Sequence, residues 1–344
     1  MNTQATMGEG NTPLVESARI GLELGVRLLF KMEMCNPSGS YKDRFAAAEV
    51  SDFLLRGVRA CVATSSGNTG AALASFSARY GIACAILVNE SVPFGKLQQM
   101  LGHGARVFRV RDFITSPEVT QSVYQRLGKM SEKSSIPLVV SAYRYCPEGM
   151  RSVENIASEL AARCQTGIDH VFVPVGGGGL FTAVCRGFLR ASGTRPKVHA
   201  VQPEGCATVV SAYREGREEI LPVNSTTRIS GLAVPFDIDA GIALAELRNS
   251  GGRGIAVSDS DVFAAQKQML REEGIWCEPA GAAALAGCLR ARKEGWIAPG
   301  ETIACLVTGH GFKDPDSLSN ASRENTVALI DESEVDSQLF EVKV

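Results

Sequence analysis

The chain has 344 residues, 45% of them hydrophobic and 21% charged, with a net charge of −2 at neutral pH. This is the composition of an ordinary globular protein with room for two cores. It excludes a partner bound through bulk positive charge, and no basic cluster with interleaved aromatics marks a nucleic-acid interface. No apolar run is long enough to span a bilayer, and residues 1–10 lack the basic and apolar regions of a signal peptide. The ten cysteines are scattered singly, several inside apolar runs (Cys61, Cys84, Cys185, Cys305). That is the pattern of free thiols in a reducing compartment, so the cytoplasm is expected. His103, His170, His199 and His310 form no ligand-spaced pair, and no metal is expected.

In chain order, apolar runs predict strands over 27–33, 59–63, 82–88, 105–110, 137–141, 169–175, 198–202, 253–257 and 302–307. Helical segments lie between most of them. Over 68–80, Ala72, Phe76 and Tyr80 share one face at spacings of four, and 149–164 and 260–273 are further helices. The alternation predicts an α/β fold, with mostly parallel sheets covered by helices. Ligands of such sheets bind beyond the carboxyl ends of the strands.

Three segments at strand ends carry chemistry. The first is Asn36-Pro37-Ser38-Gly39-Ser40-Tyr41-Lys42-Asp43-Arg44, a turn opening into the helix-favouring run Phe45-Ala46-Ala47-Ala48-Glu49. A lysine at a helix N-terminus is disfavoured as a cation by the helix dipole and is therefore a better amine nucleophile. The bland reading is a solvated lysine. The second is Thr64-Ser65-Ser66-Gly67-Asn68-Thr69-Gly70, a polar loop opening a helix. The third is Gly176-Gly177-Gly178-Gly179 after the apolar run 171–175. Its N–H groups can approach an anion closely, which reads as a phosphate cradle; a tight backbone crossing is the alternative. The glycine run fails as a dinucleotide fingerprint, because Phe181 or Thr182 falls in the last glycine position. A reactive lysine, a polar loop and a phosphate cradle together describe a site for pyridoxal phosphate.

On these motifs the chain resembles fold-type II pyridoxal-phosphate enzymes, the tryptophan synthase beta superfamily. Within it the chain is most similar to threonine synthases. The segment 36–44 resembles their lysine motif and 65–70 their substrate loop. Val307-Thr308-Gly309-His310-Gly311-Phe312-Lys313-Asp314 resembles their C-terminal cofactor motif. The resemblance runs from Gly10-Asn11-Thr12-Pro13-Leu14 to about Asp314. It implies a smaller α/β domain, residues 45–145, inserted into a larger one formed by 1–44 and 146–344. It also implies a small-molecule amino-acid substrate and a homodimer.

The resemblance assigns roles residue by residue. Lys42 would carry the cofactor as an aldimine and move protons. Asn68 would bond the phenolic oxygen of the cofactor, with a helix cap as its alternative. Gly176, Gly177, Gly178 and Gly179 would hold the phosphate, and Thr308 would face the pyridine nitrogen. Ser65, Ser66 and Thr69 would bind the substrate carboxylate, with turn and cap chemistry as their alternative. His310 and Glu278 lie in motifs near the cofactor; each also reads as structural. The family's Asn-Pro-x-Arg element, followed by Gly-Gln, binds substrate phosphate. The corresponding segment here, residues 141–151, lacks the Asn-Pro pair and has Met150 for the glutamine. Arg144 and Arg151 are its candidate anion ligands. The segment 227–235 is more similar to serine/threonine dehydratases. The expected activity is therefore a threonine-synthase-like lyase acting on an L-amino acid with an activated, phosphorylated side chain. The alternatives are a β-replacement synthase on an activated serine, cysteine- or cysteate-synthase-like, a serine/threonine dehydratase, or a non-catalytic cofactor-binding protein.

Overall fold

The structure is a computed structural model. It describes residues 4–336 apart from 66, 91, 93, 115, 165, 192–194, 323–326 and 328. Its strands are β1 (Leu14–Glu16), β2 (Arg27–Lys31), β3 (Ala60–Thr64), β4 (Ala83–Asn89), β5 (Arg106–Val110), β6 (Leu138–Val139), β7 (His170–Pro174), β8 (Lys197–Pro203), β9 (Gly254–Val257) and β10 (Thr302–Leu306).

They form two sheets. One has six strands in the order β1-β2-β10-β7-β8-β9, and the other has four in the order β5-β4-β3-β6. Every pairing is parallel except β1 with β2. The α/β fold expected from the alternation of strands and helices is the fold observed. The four-stranded sheet comes wholly from residues 60–139, and the six-stranded sheet from residues on either side of that stretch.

Parallel strands are covered on both faces, which is why the inner strands read as continuous apolar runs. All five residues of β7 are buried. On one side the helix Pro279–Lys293 packs against β7, β8, β9 and β10, bringing Leu285 and Cys288 into the core with Phe172 and Ile303. Across the smaller sheet, the helices Lys42–Arg56 and Asn68–Tyr80 pack on each other. They bury Phe45, Val50, Phe53, Leu73 and Phe76.

Two details depart from the sequence reading. β1 is too short to leave a periodic signal. The helix expected over 149–164 is two helices, Pro147–Val153 and Asn155–Arg163, broken at Glu154. There the main chain packs against Gly187 of the helix Gly179–Arg190. The Glu154 carboxylate accepts the Tyr143 hydroxyl at 2.8 Å and pairs with Arg190. A local helical pattern is overridden by these tertiary contacts. No helix among the described residues is long and apolar enough to cross a membrane.

Candidate active site between the two sheets

The carboxyl ends of β2, β3, β6, β7 and β10 open on a cavity of about 710 Å3. Lys42 is the first residue of the helix Lys42–Arg56 and lines this cavity. The turn before it needs Gly39 at φ +91°, in the left-handed region, with Phe312 packed close to its Cα. The helix start is anchored from below. Arg44 makes a fork to Glu33, with both bonds at 2.8 Å, and a bond of 2.6 Å to Glu159. Arg44 and Glu33 are buried, so this is a desolvated, hydrogen-bonded network. Removal of one partner from such a network costs about 3–5 kcal/mol. Asp43 accepts the Ser38 N–H at 2.5 Å. Burial pushes its carboxyl up to about 6, against the lowering pull of the Ser38 bonds. Held this way, Lys42 Nζ donates to Ser141 Oγ at 2.6 Å, just beyond β6.

Asn68 opens the helix Asn68–Tyr80, but Gly67 holds the cap position. The Asn68 side chain does not cap. Its amide nitrogen donates to Glu278 Oε1 at 2.7 Å, across the cavity. An amide nitrogen carries two hydrogens, so one is left for a further acceptor. Ser65 and Thr69 line the same cavity. Ser65 Oγ accepts the Gly67 N–H at 3.3 Å, a turn contact. Ser66 lies outside the described residues.

Gly176, Gly177, Gly178 and Gly179 also line the cavity. Gly178 is at φ +100° and occupies the cap position of the helix Gly179–Arg190, which has no side-chain cap bond. As a glycine the cap residue offers the first-turn N–H groups no side-chain acceptor, and the positive end of the helix dipole lies behind them. A side chain at Gly178 would place its Cβ 2.6 Å from Asp239 O, whereas one at Gly177 would meet Ile238 at an ordinary 3.5 Å. The loop is held by Asp239, whose N–H donates to Gly177 O at 2.8 Å and whose carboxylate accepts the N–H groups of Tyr143 and Arg144. Thr308, beyond β10, is buried at the cavity wall, and its carbonyl accepts the Tyr41 N–H at 3.1 Å. The C-terminal motif is thereby joined to the lysine turn.

Other candidates are not brought to the cavity wall. Arg144 is 47% exposed and paired with Asp237 at 2.6 Å. Arg151 is 56% exposed and paired with Glu148 at 2.9 Å on its own helix. Neither lines the cavity. The reason is positional: Arg151 is on the solvent face of the helix Pro147–Val153, and Asp239 and Asp237 draw the Arg144 backbone and side chain away. His310 lies between Trp276, edge-on at a centroid distance of 5.2 Å, and Phe312, tilted at 4.7 Å, and is also absent from the wall. Glu278 does line it. The sequence reading missed Ser141 as the partner of Lys42, although it ends a predicted strand. It also passed over Lys313, which the structure sets in the wall with its ammonium 2.8 Å from Gln99 Oε1.

An amine, an uncapped helix start built of glycine, an amide and a neutral hydroxyl converge on one cavity. This donor set fits pyridoxal phosphate: an amine for its aldehyde, N–H groups for its phosphate, and polar partners for its ring. Comparisons with known proteins agree. The family model described as pyridoxal-phosphate dependent enzyme matches residues 5–309. The chain is 35% identical to a threonine synthase of Methanocaldococcus jannaschii, covering 92% of this chain and 78% of that one. It is 33% identical to a threonine synthase of Mycobacterium bovis, over 92% of this chain and 85% of that protein. Among solved structures, threonine deaminase isoform 2 from Solanum lycopersicum superposes with a TM-score of 0.76 at 22% identity, covering 92% and 88% of the two chains. That likeness shows the fold. The chain belongs to the pyridoxal-phosphate-dependent enzyme family, and within it is a threonine-synthase-like lyase with pyridoxal 5'-phosphate as its cofactor.

Proposed function

We propose that this enzyme eliminates and replaces the side-chain substituent of an L-amino acid whose side chain is activated by phosphorylation. The observation that carries the reading is the position of Lys42 Nζ. It lies 2.6 Å from Ser141 Oγ, in the cavity shared by Asn68, the four glycines and Thr308. Pyridoxal phosphate, when bound, supplies an electron sink for the α-carbon of the amino acid. Lys42 is the amine that holds the cofactor and, once released, takes and returns the α-proton. Ser141 accepts from this amine and keeps it directed into the cavity. Gly176 to Gly179 bind the cofactor phosphate. Asn68 orients the ring through the hydrogen left free by Glu278. Thr308 offers the ring nitrogen a neutral partner, a moderate arrangement suited to elimination and replacement. Ser65, Ser66 and Thr69 take the substrate carboxylate. Residues 45–145 act as the smaller domain over this cleft.

The relatives named threonine synthase support this chemistry. A second reading, serine/threonine dehydratase, is favoured by the segment Thr227 to Pro235, much of which lines the cavity, and by the absence of Arg144 and Arg151 from it. The purified holoenzyme is tested with O-phospho-L-homoserine, O-phospho-L-serine, L-serine and L-threonine, and products are identified. Release of phosphate with formation of L-threonine from the first supports the proposal. Oxo acid and ammonia from the neutral substrates alone favour the dehydratase. Borohydride is expected to fix the cofactor to Lys42, and Lys42→Ala to lose both this label and turnover. A label on another lysine overturns the assignment.

A further inference from the structure

Arg144 and Arg151 leave the cavity without the cation that a phosphorylated side chain requires. Among the described residues, the cationic groups in its wall are Lys42, Arg228 and Lys313. Lys42 is committed to the cofactor. Arg228 is 76% exposed, lies over the Phe263 ring and faces Asp259 at 3.9 Å.

Lys313 differs from both. Its stem packs against Gly39, three residues before Lys42. Its ammonium donates to Gln99 Oε1 at 2.8 Å, and Gln99 Nε2 donates to Ser38 O at 2.9 Å. The charge is thus fixed between the lysine turn and the helix Phe94–Gly102, of which Gly95, Gln98 and Gln99 also line the cavity. An ammonium has three donors, and the one hydrogen bond formed here goes to a neutral oxygen. The carboxylates facing it are Asp43, engaged by Ser38, and Glu278, engaged by Asn68. Burial lowers the Lys313 pKa, although both carboxylates raise it. The site is therefore one where an arriving anion strengthens the charged form.

We propose that Lys313 is the specificity-determining residue that receives the anionic group on the substrate side chain, with Gln99 holding its ammonium in the cavity. This rests on the reading of the substrate as a phosphorylated amino acid, and adds which residue recognises the phosphate.

The test is equilibrium binding to the holoenzyme, followed by the visible absorbance of the cofactor. The probes are the non-cleavable phosphonate analogue of O-phospho-L-homoserine and L-norvaline, which has the same carbon chain and no charge on it. Wild type is expected to prefer the phosphonate. Lys313→Gln is expected to reduce that preference by about ten- to a hundredfold, the loss of one charge-assisted contact. Lys313→Arg is expected to restore most of it. If wild type prefers the phosphonate and Lys313→Gln keeps the full preference, Lys313 is not the receptor and the substrate reading stands. If Lys313→Gln weakens both probes equally, its role is structural and the proposal falls. If wild type shows no preference, the phosphorylated-substrate reading falls with it.

Discussion

The amide of Asn68 donates to the carboxylate of Glu278 at 2.7 Å, joining residues 210 positions apart in the chain. Asn68 starts the helix after β3, in the four-stranded sheet. Glu278 precedes the helix Pro279–Lys293, which packs on the six-stranded sheet. A side chain at Gly309 would overlap Glu278 Oε1, so glycine at this point admits the bond. With the Glu278 N–H donating to Gly309 O at 3.0 Å, the contact ties the Asn68 amide to the Thr308 segment.

Glu278→Ala is accordingly expected to weaken cofactor binding. A charge-assisted hydrogen bond is worth about 1.5–3 kcal/mol, or about ten- to a hundredfold in the dissociation constant. Because the two residues act as one unit, Asn68→Ala combined with Glu278→Ala should cost little more than the worse single variant. Titration of the apoenzymes with cofactor measures this. Additive losses would show that the two side chains act independently.

The glycine loop separates two effects that look alike in the sequence. Gly178→Ala forces a side chain into the left-handed region and against Asp239 O, and should destabilise the fold by roughly 1–3 kcal/mol or more. Gly177→Asp has room for its Cβ, so it should fold and fail chiefly in holding the phosphate, through charge repulsion. Thermal unfolding of the apoenzymes and cofactor titration resolve the pair. Wild-type cofactor affinity in a folded Gly177→Asp protein would place the phosphate elsewhere.

Arg144→Ala and Arg151→Ala break exposed ion pairs, which are typically worth about 0–1 kcal/mol. Both variants should keep the wild-type ratio of specificity for phosphorylated over neutral amino acids, within about twofold on that scale. A selective loss with the phosphorylated substrate would return these arginines to the binding site.

Burial pushes the Glu49 carboxyl up from 4.5 to about 7, outweighing bonds from Cys146 and Gly149 that lower it. The folded state then binds a proton more tightly than the unfolded state between these values. This group's contribution to stability therefore falls as pH rises from about 4.5 to about 7. Glu49→Gln should be more stable than wild type above about pH 7, with the difference shrinking towards pH 4.5. Denaturant unfolding across this range checks the sign; a gap that widens on acidification would contradict it.

The sequence by itself determined the strand and helix alternation, and hence the α/β class, because apolar period and glycine punctuation are local properties. It also singled out Lys42 by its turn and helix start and the glycines 176–179 by their place beyond a strand, and the resemblance added Asn68 and Thr308. The tertiary structure alone decided which cations reach the cavity. Arg144 and Arg151 lie in the segment where the resemblance looks for phosphate ligands, yet Asp237 and Glu148 hold them at the surface. Lys313 and Ser141 lie in the segments 307–314 and 141–151 compared with the family's motifs, but nothing local to either residue shows what its side chain faces. One meets Gln99, 214 positions away, and the other Lys42, 99 positions away, only when two sheets close around one space. Side-chain direction and long-range pairing depend on packing between elements, and no pattern within a single element records them.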